Sequence, residues 1–170
     1  MADRQNRRPA SHLRGEATRE EITPRRNPTD CGPVYPNLLA VRLDLITIVV
    51  DDYDSAIQFF TDSLDFDLVE DSPSLTNDGR PKRWVVVRPP GAETGILLAR
   101  ADGDRQRAVV GEQVAGRVGF VLRVEDFDAA YERMTAAGVE FVTSARTEAY
   151  GRVAVFLDIA GNRWDLYGPA

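Results

Sequence analysis

A chain of 170 residues has length for one domain with a proper core plus a tail, and its apolar, charged and aromatic fractions are those of an ordinary soluble protein. The net charge of −6 hides an asymmetry: residues 1–40 hold seven arginines against five acids, which leaves −8 on the remaining 130 residues. That acidic body argues against a nucleic-acid surface, which needs a basic stripe, and the longest apolar run, Leu45–Val50, is far short of a membrane span.

Residues 1–40 are rich in Arg, Pro, Asn and Thr and lack apolar periodicity, so they are predicted to form a disordered or extended tail. No apolar secretion-signal core follows Met1, which gives the expectation of a cytoplasmic protein. The single cysteine, Cys31, and the single histidine, His12, both lie in this tail. Nucleophilic catalysis by a cysteine or serine with a histidine base therefore has no partner in the remainder of the chain.

The folded domain is predicted over residues 41–170. Leu43–Val50 is β-branched and apolar enough for a buried strand. Asp52 then reads as a helix N-cap, followed by an apolar stripe at helical spacing of Tyr53, Ala56, Ile57, Phe60 and Leu64. Asp67–Asp71, Arg83–Arg88 and Gly95–Arg100 are predicted strands, separated by turn-rich segments at Ser72–Lys82 and Pro89–Thr94. The second half runs the same programme. Arg117–Val124 is a strand, Asp126 caps a helix striped by Phe127, Ala130, Tyr131 and Met134, and Gly138 stands where that helix ends. Val139–Thr143, Arg152–Asp158 and Arg163–Tyr167 complete it as strands, with Ala160-Gly161-Asn162 as the last hairpin turn.

The two halves also echo each other residue by residue. Val50-Asp51-Asp52-Tyr53-Asp54-Ser55-Ala56 recurs 74 positions later as Val124-Glu125-Asp126-Phe127-Asp128-Ala129-Ala130. The acids Asp51, Asp52, Glu125 and Asp126 sit at helix starts, where capping explains them without catalysis. The expectation is an α+β fold of two tandem βαβββ modules, residues 43–100 and 117–168, related by pseudo-two-fold symmetry.

With Phe59-Phe60 and the closing Phe156-Leu157-Asp158-Ile159-Ala160-Gly161-Asn162-Arg163-Trp164-Asp165-Leu166, this pattern resembles the vicinal oxygen chelate superfamily. That group includes glyoxalase I, extradiol dioxygenases, fosfomycin-modifying enzymes and bleomycin resistance proteins. The resemblance implies curved mixed sheets cupped around a cavity, with metal ligands on the first and last strands of each module. It also implies a homodimer.

Strand alternation locates the cavity face. Ile46, Ile48 and Val50 should pack under the helices, leaving Leu43, Leu45, Thr47 and Val49 toward the cavity. Gly95, Leu97 and Ala99 should join them, as should Arg163, Asp165 and Tyr167 on the last strand, with Trp164 and Leu166 in the core. Carried over from the resemblance, the four ligand positions fall at Leu45, Leu97, Gly119 and Asp165, of which only Asp165 can hold a metal. No metal or other cofactor is expected.

The remaining candidates for a ligand-binding site are Trp84, Arg123, Tyr150, Arg152, Asp165 and Tyr167: aromatic walls with a few converging charges. Asp165 either contacts a ligand or pairs with Arg123 or Arg163, and Trp84 is either a stacking surface or core packing. The first reading is a metal-free protein that binds a small organic ligand between its modules. The alternatives are a lyase- or oxygenase-like enzyme of non-standard site with Asp165 as base, and a regulatory domain with a vestigial cavity.

Overall fold

The computed structural model describes residues 41–170. The predicted tail, with His12 and Cys31, lies outside the described residues. The chain order is β1 (Leu45–Val50), α1 (Tyr53–Gln58) running on into a π-helical turn (Phe59–Ser63), β2 (Asp67–Leu75), β3 (Pro81–Arg88) and β4 (Gly95–Arg100). A short α2 (Asp104–Arg107) follows, then β5 (Val118–Arg123), α3 (Phe127–Ala136), β6 (Arg146–Glu148), β7 (Gly151–Leu157) and β8 (Arg163–Gly168).

The strands form two four-stranded mixed sheets of the same order, β1-β4-β3-β2 and β5-β8-β7-β6. In each, the first strand runs parallel to the last and the other neighbours are antiparallel. This is the βαβββ architecture expected from the sequence. α1 and α3 each start at an aspartate N-cap shortly after a strand. Asp52 accepts the Ser55 amide at 2.9 Å and Asp126 accepts the Ala129 amide at 3.0 Å, each satisfying a first-turn donor that the helix itself cannot.

One face of each sheet is buried under its helix, and these faces share a single apolar core. Ile48, Val85, Val87 and Leu98 of the first sheet meet Ala56 and Phe60, and the same cluster holds Met134, Ala154, Phe156, Trp164 and Leu166 of the second half. Trp164 is the joint: its ring stacks on Phe120 at 4.4 Å, lies 5.8 Å from Phe156 and reaches Phe60 across the halves at 6.0 Å. The opposite, open face of each sheet points away from this core.

Several boundaries differ from the sequence expectation, each for a local reason. The predicted turn Ser72–Lys82 shrinks to the segment 76–80, because β2 and β3 continue as a hairpin arm paired out to Leu75↔Pro81. Pro73 is tolerated there because β2 is an edge strand, where a missing N–H leaves no gap in a ladder. The predicted strand Val139–Thr143 is reduced to one bridge, Phe141↔Phe156. The amides of Val142 and Thr143 both turn to the Val155 carbonyl, and the Thr143 hydroxyl accepts the Val155 amide, so no regular ladder can propagate. The short β6 takes the fourth place in the sheet instead. Ile46 is 38% exposed rather than covered.

Candidate functional site

The first open face is set by alternation along β3 and β4. Val85, Val87, Ile96 and Leu98 belong to the core, so Lys82, Trp84, Val86, Leu97 and Ala99 take the other side, with Val86 beside Leu97 in register. Trp84 is thus half-buried on the open face and outside the core cluster. The pairing of β3 with β4 stops at Val85↔Leu98. Beyond it the strands part, and a cavity of about 250 Å³ lies there, lined by Trp84, Leu97, Ala99, Lys82 and Arg100 among others.

The cavity's rim is strongly charged. Arg83 grips Asp71 through two nitrogens, at 2.9 and 2.5 Å, and reaches Asp54 at 2.6 Å. Arg80 joins Asp78 at 2.8 Å and Asp102 through a second nitrogen at 2.9 Å. The Arg83 hydrogen bond holds the Asp71 carboxyl below its usual range, and Arg80 does the same for Asp102. Asp78 is lowered furthest, to about 2, by the Thr76 hydroxyl and then by Arg80. The Arg83 guanidinium lies 5.2 Å from the Tyr53 ring, and the Tyr53 hydroxyl donates to the Arg83 carbonyl at 3.1 Å. Arg100 flanks the same ring at 5.6 Å.

The second open face carries the other sequence candidates. Asp165 of β8 sits in register between Val121 of β5 and Val155 of β7, half-buried. It has no hydrogen-bond or ion-pair partner among the described residues, so the suggested pairing with Arg123 or Arg163 is not formed. Arg123 lies 5.7 Å from the Tyr167 ring, and the Tyr167 hydroxyl donates to the Tyr150 carbonyl at 2.7 Å. Tyr150 is 63% exposed.

Arg152 is placed differently from the expectation. It shares its side of β7 with Ala154 and Phe156, so it stands on the helix face, where it pairs with Asp128 and lies 4.8 Å from the Phe127 ring. Nor does the structure bring Trp84 together with Arg123, Asp165 and Tyr167, since the cavity at Trp84 is lined by first-half residues and by Gln106 of α2. The residues that sequence reasoning missed are Lys82, Arg100 and Tyr53. Lys82 precedes Trp84 by two residues but fell in the predicted turn Ser72–Lys82, while Arg100 was read only as the end of a strand and Tyr53 only as part of a helix stripe.

The four positions to which the sequence resemblance assigns metal ligands do not fit a metal here. Leu45 lies against Gly95, with its Cδ2 at 3.0 Å from where a Cβ would stand, and Leu97 offers only carbon. At Gly119 a side chain would meet the Val114 methyls at 2.8 and 3.0 Å. Asp165 remains as one donor where a divalent ion takes roughly three or more, and no group of three His, Cys, Asp or Glu is gathered among the described residues.

With fold and site in view, the family follows. The sequence profile of the Glyoxalase/Bleomycin resistance protein/Dioxygenase superfamily matches residues 42–166, and the chain belongs to that superfamily. A protein of Shewanella frigidimarina (strain NCIMB 400) is 47% identical over 122 residues, covering 71% of this chain and 88% of its own. Among solved structures, UcmS2 superposes with a TM-score of 0.63 at 32% identity, over 76% of this chain and 98% of its own. TnmS3, an antibiotic binding protein from Streptomyces sp. CB03234, superposes with a TM-score of 0.61 at 28% identity, over 78% of this chain and 99% of its own. No helix among the described residues is long and apolar enough to cross a membrane.

Proposed function

We propose that the protein is a metal-free binding protein for a small organic ligand, which it holds against the open faces of its sheets. The observation that carries this is the contrast between the two kinds of site. The positions that the resemblance assigns to metal ligands retain one donor, Asp165, whereas the open face at Trp84, Leu97 and Ala99 keeps a cavity of about 250 Å³ with an aromatic and apolar wall. The likeness to TnmS3 supports a ligand of the antibiotic kind. We further propose that residues 41–170 act as the binding domain and that two copies associate, with the exposed Ile46, Val118 and Val121 on β1 and β5 as the apolar surface available to a second chain.

Elemental analysis of the purified protein, with a thermal-shift screen of divalent metals and polycyclic aromatic compounds, tests the reading. A ligand bound only by the folded state raises the melting temperature with its concentration. The expected result is a rise with an aromatic compound and none with Zn, Ni, Mn or Fe; stoichiometric metal bound through Asp165 overturns it. Light scattering tests the dimer, which a monomer at micromolar concentration would exclude. One observation favours a second reading: a half-buried carboxylate with no partner, as at Asp165, is also what a general base needs. Turnover of a bound compound that is abolished by Asp165→Asn, with binding intact, would establish it.

A further inference from the structure

We infer that the split between β3 and β4 is a subsite for an acidic group: Lys82 and Arg100 hold a carboxylate, sulfonate or phosphate whose flat apolar body lies along Trp84, Leu97 and Ala99. The inference deepens the binding reading above and rests on it. Its first support is charge. Residues 41–170 carry a net charge of −8 with fourteen Lys and Arg, yet four of those fourteen, Arg80, Lys82, Arg83 and Arg100, line this cavity beside a single acid, Asp102. Asp52, Asp54, Asp71 and Asp78 stand against the same cations, so the surroundings are not net positive, and what meets an anion is the individual cations that these acids leave unpaired.

Pairing then separates the four. Arg80 is taken by Asp78 and Asp102, and Arg83 by Asp71 and Asp54. Lys82 and Arg100 make no ion pair among the described residues. The neighbouring acids are already engaged: Asp52 accepts the Ser55 amide and hydroxyl, and Asp54 and Asp102 hold the two arginines. Lys82 and Arg100 are thus left without an ion pair at the cavity, Arg100 with the Asp52 charge in its neighbourhood. Arg100 shares its side of β4 with Ile96 and Leu98, so it reaches the gap from the helix face, opposite Lys82 and Trp84, and the Tyr53 ring at 5.6 Å supports its guanidinium there and limits the rotamer freedom lost on binding.

Size fixes what enters. Ligand pockets usually start near about 300 Å³, so a cavity of about 250 Å³ takes one end of a molecule and not the whole. The gap exists because β3 and β4 lose their pairing beyond Val85↔Leu98, and the Tyr53 hydroxyl satisfies the freed Arg83 carbonyl. The row Lys82, Trp84, Val86 continues from the charged end onto the apolar face, which orients a ligand with its acid inward and its rings along the sheet.

The test uses two dyes of one skeleton, 8-anilinonaphthalene-1-sulfonate and the uncharged N-phenyl-1-naphthylamine, titrated against the full chain by fluorescence. The sulfonate should bind roughly tenfold more tightly, as a charge-assisted contact warrants, and its advantage should shrink as NaCl rises. Lys82→Gln and Arg100→Gln should each weaken the sulfonate and leave the neutral dye unchanged, while Arg117→Gln, at a cation outside the cavity, should change neither. Equal affinity of the parent protein for both dyes removes the acid subsite and leaves the binding reading standing. That comparison needs no variant to fold. Sulfonate binding unaltered in both cavity variants, at unchanged melting temperature, also removes it. Failure of both dyes to bind overturns the subsite and the binding reading together.

Discussion

Asp158 shows what a carboxylate in this fold does when it is structural. It is 5% exposed and accepts from the Ala160 amide at 3.0 Å, the Asn162 amide at 2.9 Å, the Asn162 side chain at 2.9 Å and the Trp164 indole at 3.0 Å. The closing segment that carried the sequence resemblance is therefore a knot that fixes Trp164, the residue joining the two halves. Asp158→Ala leaves several buried donors unpaired, and urea unfolding should show a loss of about 3 kcal/mol, with a smaller loss for Asp158→Asn, which keeps one acceptor. Asp165, seven residues on, is the opposite case. With no partner to lose, Asp165→Asn should leave stability within about 0.5 kcal/mol of the parent in the same experiment. A loss as large as that at Asp158 would mean that Asp165 is tied into a network the structure does not contain. The sequence shows both aspartates on the same footing, because which one is encircled by donors depends on the hairpin turn between them.

The elements differ between the halves in one instructive respect. From Tyr53 to the left-handed residue Asp65 there is one residue more than from Phe127 to Gly138, and the first helix absorbs it as the π-helical turn Phe59–Ser63. The second helix ends on a glycine at φ 82°, the first on an aspartate at φ 61°, a backbone region that favours glycine. Asp65→Gly should relieve that strain and raise stability by about 0.5 kcal/mol after the entropy of glycine in the unfolded chain is counted, readable as a rise in urea midpoint. The hairpin arm offers a pH readout. Asp78 titrates at about 2 in the folded chain against 3.8 for the ordinary group, so its contribution is complete above about 3.8 and fades as pH falls toward about 2. NMR titration of its side chain should show a midpoint near 2, and Arg80→Gln should move it up. Strands, caps and helix stripes were legible because periodicity and capping are local. The length of the hairpin arm was not, since Ser72–Leu75 and Pro81–Lys82 are polar and turn-like, and only pairing across the hairpin makes them strands. The cavity was lost with them, because it lies where that arm begins.

At the scale of the molecule, the helix-side faces of both sheets feed one core, and Phe60 is where they touch. Its ring lies 5.5 Å from Phe59 and Phe66 within the first half and 6.0 Å from Trp164 of the second, and it is fully buried. The echo between residues 50–56 and 124–130 made the two halves readable, but it could not show which faces they turn to each other. That depends on contacts between residues about a hundred positions apart, such as Phe60 and Trp164. A shared core has a thermodynamic consequence that two separately closed modules would not. Domain 41–170 should unfold in one transition, with near-ultraviolet signals from Trp84 in the first half and Trp164 in the second lost together. Phe60→Ala opens a cavity at the joint and should lower stability by about 3–4 kcal/mol, while the transition stays single. A first transition that removes only one half, with the other persisting at a higher urea concentration, would show that the contact through Phe60 does not couple them. It would also make each open face the property of an independent module, each with its own ligand affinity to measure.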